Sequence, residues 1–233
     1  MTTRAVEWGD LQNAWDLGGL PTRHGLTRRG RIFRSMNPDG LDATGWTAIL
    51  SDGISTVVDL RNDYEVQDSP GRPSRLTVIR RPIEDQNDAE FMSEWGGRLG
   101  SPAYYPEILR RWPALVAAAI ASIADAPGPV LFHCGAGRDR TGMISAMIEE
   151  LVGVDRSAIL DDYADAVRAF NQWKRANHFR EKPQTDAELD EHLAIALPEL
   201  TDFLEGVDIE SYLLGAGLSA AQLRRLRARL LDA

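Results

Sequence analysis

The chain has one cysteine in 233 residues, which excludes an internal disulfide framework and suits a reducing compartment. It has no positive surplus: 35 acidic residues against 26 basic ones leave a formal net charge of −9. A general nucleic-acid binder needs a basic face, so no nucleic-acid partner is expected. Any anion site must then be a local positive pocket in an acidic protein. Long apolar runs are also missing. The longest, ALVAAAIASIA at 114–124, is about half of what a bilayer span requires, so no transmembrane segment is expected. The opening MTTRAVEWGD lacks the basic-then-apolar pattern of a secretory leader, and the expectation is a soluble, cytoplasmic protein. His24, His178 and His192 are scattered without metal-ligand spacing, so no metal site is expected. No internal repeat, low-complexity tract or linker divides the chain, which predicts a single domain over 1–233.

Hydrophobic content of 43% and charged content of 26% are ordinary for a globular domain. LDATGWTAILSDGI (41–54) reads as a short helix with Asp42 as N-cap and Gly53 as its stop. ISTVVDL (54–60) and LTVIRRP (76–82) read as strands, the second ended by Pro82. Residues 84–102 have no clean period, and a mobile lid over a site is expected across 84–105. A helical pattern resumes from Tyr104 to Ala124, with Pro106 and Pro113 at first-turn or kink positions. APGP (126–129) precedes a third strand, VLFHC, and an apolar helix closed by Gly153. Helical stretches at 157–176 and 186–205 come next, and then a terminal amphipathic helix capped by Ser219. Strands alternating with helices predict an α/β fold, a central mixed sheet flanked by helices, with a helix-rich C-terminal third from about 155 to 233.

The cysteine stands in HCGAGRDRTG, residues 133–142. A loop between a strand and a helix N-terminus directs several backbone N–H groups one way, at the positive end of a helix dipole, which is an anion site. Gly135 and Gly137 allow close backbone approach. Arg140 adds a planar fork of donors matched to two phosphate oxygens. A free thiol titrates near about 8.5, and helix termini and neighbouring cations lower such groups to roughly 3.5–7.5. The same loop can therefore activate a nucleophile and hold the phosphoryl group that it attacks.

The five residues between Cys134 and Arg140 match the C-x5-R-[ST] signature of the cysteine-dependent protein tyrosine phosphatase superfamily. The wider sequence resembles its bacterial atypical branch, whose loop reads H-C-x-A-G-K-D-R-T-G. NAWDLGGLPT (13–22), RIFRS (31–35), VVDLRNDYE (57–65), DDYA (161–164) and ESYLLGAGLSAAQLRRLRARLL (210–231) are also similar to that branch. Ala14 and Trp15 replace its usual Phe and Arg, and Arg138 replaces its loop lysine. The resemblance implies a tyrosine/dual-specificity phosphatase-like fold and phosphomonoester hydrolysis through a phosphocysteine, with no cofactor. Its substrate would be a phosphorylated protein, a phosphoinositide or a small phosphate ester.

Cys134 is thus expected as nucleophile and Arg140 as phosphate clamp, with Gly135, Ala136, Gly137, Arg138, Thr141 and Gly142 around the anion. For Arg140 the bland alternative is a surface arginine paired with Glu149 or Glu150. His133 points away from Cys134 along the strand, and its ring is expected to tie down the loop. Thr141 can cap the helix and also stabilise a departing thiolate. Asp59 and Arg61 end a strand, where α/β sheets bind ligands; an ion pair bracing the loop is the alternative. Asp16 and Arg34 read as structural. The resemblance implies Asp139, inside the loop as in that branch, as general acid; the alternatives are Asp85 and Asp88 just beyond the second strand, with Asp85 the nearer rival. The alternative role of Asp139 is to clamp both Arg138 and Arg140. Two other function classes remain open: a rhodanese-like sulfurtransferase, whose cysteine also sits in a six-residue anion loop, and a silent phosphate-binding module.

Overall fold

The computed structural model describes residues 4–66, 69, 71–177 and 181–232. Its strands are β1 (Ala14–Asp16), β2 (Pro21–Thr22), β3 (Gly25–Leu26), β4 (Ile32–Ser35), β5 (Thr56–Asp59), β6 (Thr77–Arg80) and β7 (Val130–His133). Five of them build one sheet in the order β1-β4-β7-β5-β6, and β2 and β3 form a separate ribbon. β1 runs antiparallel to β4, whereas β4, β7, β5 and β6 are parallel. The expected mixed sheet is therefore present. Every residue of β4, β5 and β7 is buried, because helices cover both faces of the parallel part. That is why VVD and VLFH read as continuous apolar runs without alternation.

β7 is the middle strand, and its last residue, His133, pairs in register with Ser35 on one side and Asp59 on the other. The loop after β7 therefore leaves the sheet at its centre, from the carboxyl end of the parallel strands. The chain turns there into α5 (Asp139–Leu151), a helix buried from Arg140 to Glu149. It is wedged between the sheet and α6 (Arg156–Asn177), α7 (Asp186–Gly206) and α8 (Ile209–Gly215). Ile144, Met147 and Ile148 are completely buried on α5, each worth roughly 1.5–3 kcal/mol of burial. The loop before α5 thus rests on a rigid base.

The other helices are α1 (Ala43–Ser51), α2 (Ala89–Trp95), α3 (Tyr105–Arg111), α4 (Pro113–Asp125) and α9 (Ala220–Leu230). Asp42 caps α1 by accepting from Gly45 N at 2.8 Å, and Gly53 comes just after it at φ +77°. The helical pattern from Tyr104 to Ala124 resolves into two helices broken at Trp112, with Pro106 and Pro113 each in a first turn. Proline has no N–H to donate, so each marks a helix start. The segment 84–105, expected as a lid, contains α2 and two 3₁₀ turns, and its Phe91, Tyr104 and Tyr105 are buried in the core. Ser219 and Gln222 form the capping box that starts α9. Its Arg229 donates to the Gly128 carbonyl at 2.8 Å and to that of Ala126, tying the last helix to the turn before β7.

Candidate active site

Residues 134–138 form the loop between β7 and α5. Cys134 is buried at its start, and Arg140 is buried in the first turn of α5. The carbonyls of this segment are all held by donors. His133 O accepts from Leu60 N (2.8 Å), and Cys134 O lies 3.0 Å from His133 Nδ1. Gly135 O accepts from Asn37 N (3.0 Å) and Ala136 O from Asn13 Nδ2 (2.8 Å). Gly137 O accepts from Arg34 Nη2 (2.7 Å), Arg138 O from Gly142 N (2.9 Å) and Asp139 O from the Tyr105 hydroxyl (3.0 Å). In a trans peptide the carbonyl and the following N–H point in opposite directions. The Gly135, Ala136 and Gly137 carbonyls, held by donors from outside the loop, therefore leave the Ala136, Gly137 and Arg138 N–H groups pointing the opposite way. Gly137 has φ +70°, and a Cβ there would come within 2.5 Å of Met36 N. Only glycine lets the loop lie against the end of β4.

Arg140 is fixed from chain segments far from the loop. Its Nη1 lies 2.5 Å from Glu65 Oε2 and its Nη2 2.7 Å from Glu65 Oε1, while Nε is 3.5 Å from Glu84 Oε1. Burial opposes the charge on Arg140, but Glu65, Cys134 and Glu84 more than restore it and hold the guanidinium protonated. Burial also works against the Glu65 charge, yet its hydrogen bonds from Arg140 and Asn62 N keep its pKa below the usual carboxylate value. Glu84 is almost completely buried, with one oxygen lacking any hydrogen-bond partner. Burial raises its pKa against the pull of Arg140. Neither glutamate is among the residues that the sequence reading expects at the site. Glu65 stands within VVDLRNDYE, which is its only signal in the chain; Glu84 carries none.

Asp139 opens α5, and its carboxylate meets Arg138, at 2.8 Å from Nε and 3.2 Å from Nη2. It therefore clamps one arginine and not two, because Arg140 turns away to Glu65. Arg138 also lies over the Phe170 ring, 5.5 Å from its centroid. Glu149 and Glu150, the expected alternative partners of Arg140, are not its partners: Glu149 is buried beside Asp162, and Glu150 binds Arg156 at 2.9 Å. Thr141 Oγ1 is buried without a partner. Gly142, expected around the anion, has its N–H committed to Arg138 O. Its Cα packs so tightly that a Cβ would come 3.2 Å from the Tyr163 ring.

His133 is buried, and burial lowers its pKa against the pull of Asp59. The neutral ring then carries its proton on Nδ1 when it donates to Cys134 O. Its Nε2 is 3.8 Å from Asp59 Oδ1. Asp59 is itself gripped by Arg61, at 2.9 and 2.8 Å, and Arg61 reaches Asp39 at 2.7 Å. These buried groups form an ion cluster under the loop. Asp85 is exposed and accepts from Asn87 N at 2.9 Å in a local turn. Asp16 accepts from Gly18 N and Gly30 N, and Arg34 pairs with Asp162. Of the scattered histidines, His178 lies outside the described residues. Among the described residues no helix is long and apolar enough to cross a membrane.

The family model described as "Tyrosine phosphatase family" matches residues 6–232. The Mycobacterium tuberculosis triple specificity protein phosphatase PtpB is 28% identical, over 95% of this chain and 98% of its own length. A tyrosine-protein phosphatase of Nostoc commune is 28% identical over 78% of this chain and 68% of its own. Among solved structures, P. aeruginosa TpbA in complex with phosphotyrosine is similar at a TM-score of 0.44 and 19% identity, covering 92% of this chain and 95% of that one. The family match spans both the loop and the elements that hold it, and the chain belongs to the tyrosine phosphatase family.

Proposed function

We propose that this phosphatase hydrolyses phosphotyrosine and related phosphomonoesters in two steps through Cys134. The observation that carries the reading is the outward anchoring of the loop carbonyls between a buried Cys134 and a buried, doubly held Arg140. In the first step the Cys134 sulfur attacks phosphorus, the S–P bond forms, and the P–O bond to the leaving group breaks. Asp139 gives the leaving oxygen its proton. In the second step water attacks the phosphocysteine, returns a proton to Asp139, and releases inorganic phosphate and the thiolate, which the Thr141 hydroxyl stabilises. The N–H groups of residues 135–140 and the Arg140 fork hold the equatorial oxygens in both transition states. His133, Asp59 and Arg61 support the loop from below.

Tyr64, exposed and hydrogen-bonded to Gln86 at 2.6 Å, stands next to Glu65 and offers an aromatic wall for a phosphotyrosyl ring. A second reading, wider specificity that takes in phosphoinositides, is favoured by the cleft that borders Arg138. Arg98, Lys174 and His192 line it, against Glu181 and Glu199. Cys134→Ser tests the mechanism: turnover should vanish while the fold and phosphate affinity persist, since an unassisted hydroxyl is a far weaker nucleophile. Retention of more than about a tenth of the activity would sink the covalent route. Aryl phosphate, phosphotyrosyl and phosphoseryl peptides and phosphoinositide vesicles rank the substrate classes. A thiosulfate-to-cyanide assay tests the sulfurtransferase alternative.

A further inference from the structure

The N-terminal NAWDLGG stretch has no part in the chemistry of the two steps, yet it supplies one of the loop's anchors. Asn13 is buried and has φ +50°, the only non-glycine residue with positive φ among the described residues. Its Nδ2 donates to Ala136 O at 2.8 Å, its Oδ1 accepts from Trp15 Nε1 at 2.8 Å, and its own carbonyl accepts from Met36 N at 3.1 Å. Glycine would adopt this backbone conformation at lower steric cost. What asparagine adds is the carboxamide, and the Trp15 indole decides which way that carboxamide faces. An amide oxygen satisfied by an N–H donor leaves the amide nitrogen for the loop.

We propose that Asn13 is a positioning residue for phosphate binding: it pulls the Ala136 carbonyl outward and so aims the Gly137 N–H at the bound phosphoryl group. The two groups belong to one rigid peptide plane, so fixing the carbonyl fixes the N–H. The plane has little other freedom. Gly137 is pressed against Ser35 and Met36 on its outer side, and Arg34 holds the next carbonyl. Asn13 and Arg34, at the β1 and β4 edge of the sheet, thus set the two peptides that flank Gly137. A Gly137 N–H turned away from the anion would weaken substrate, phosphate and vanadate alike, since all three present the same oxygens.

This inference rests on the phosphate-binding reading of the loop, and its test separates the two. Asn13→Gly keeps the backbone conformation and deletes the carboxamide. Asn13→Asp keeps the shape but sets an oxygen against the Ala136 carbonyl. Trp15→Phe leaves residue 13 untouched and frees the amide to turn. The measurements are KM and kcat for an aryl phosphate and competitive Ki values for inorganic phosphate and orthovanadate. Asn13→Gly should raise KM and both Ki values together by about tenfold, as expected for one misdirected hydrogen bond to a charged ligand. Asn13→Asp should be worse and Trp15→Phe milder in the same direction. A merely structural role would lower the active fraction and hence the apparent kcat, leaving KM and Ki where they were. Folded Asn13→Gly protein with wild-type Ki values overturns the proposal. Where that variant does not fold, an unchanged Ki in Trp15→Phe overturns it and a raised one supports it. If Cys134→Ser stays active, the failure lies in the phosphatase mechanism and not with Asn13.

Discussion

Arg140 and Glu65 meet end to end, guanidinium to carboxylate, at 2.5 and 2.7 Å. The pair joins the first turn of α5 to the 3₁₀ turn Asp63–Glu65 just after β5. It holds the planar fork at a fixed angle, and in the proposed mechanism that fork is preorganised for the phosphoryl oxygens.

Glu65→Gln should therefore damage catalysis more than stability. The glutamine keeps one acceptor but loses the charge and the second bond, so Arg140 can swing. A tenfold or greater fall in kcat/KM is expected, in line with about 1.5–3 kcal/mol for a charge-assisted hydrogen bond. Steady-state kinetics beside a melting curve checks this; unchanged kcat/KM would mean that Arg140 needs no outside support.

Arg140→Lys retains a positive charge, yet it should be severe. Lysine offers a point charge where the two Glu65 oxygens and, in the proposed mechanism, two phosphate oxygens require a plane of donors. The expected loss is on the order of 2–4 kcal/mol of transition-state stabilisation, as for other removed oxyanion donors. A near-normal kcat/KM would place Arg140 outside the phosphate site.

The acid assignment is tested by leaving groups. Asp139→Asn should slow an aryl phosphate with a poor leaving group far more than one with a good leaving group, because only the poor one needs the proton in the transition state. Asp85→Asn should slow neither selectively. The reverse pattern moves the acid role to Asp85.

Glu149 predicts a pH effect on stability. It is buried beside Asp162, Arg34 and Arg4; burial and then the Asp162 charge raise its pKa well above the usual carboxylate range. As a carboxylate it has no donor for either oxygen, whereas the protonated form can donate to Asp162. Because its folded pKa lies above the unfolded value of about 4.3, its stabilising effect is complete below that pH and is lost as pH rises towards the folded pKa. Glu149→Gln removes the titration. Tm curves of variant and parent should coincide near about pH 4 and separate upward, with the variant higher. Parallel curves would show that Glu149 takes up no proton on folding.

From the chain alone one could read what neighbouring residues settle among themselves. Cys134, Gly135, Gly137 and Arg140 lie within seven consecutive positions, and a strand, a glycine loop and a helix start are enough to imply an anion cradle. The capped helices at Asp42 and Ser219 and the central strands were legible for the same reason, since caps and apolar runs are local signals. The partners that give the cradle its shape come from elsewhere. Asn13 is 123 positions from Ala136, Arg34 is 103 from Gly137, and Glu65 is 75 from Arg140. Periodicity and turn chemistry contain no information about such pairs. They exist only once β1, β4, β7 and β5 are zipped in register and bring four chain segments to one end of the sheet. The fate of Asp139 shows the difference well. In the sequence it stands between two arginines, but successive residues on a helix point about 100° apart. The fold gave Arg138 to Asp139 and took Arg140 to Glu65.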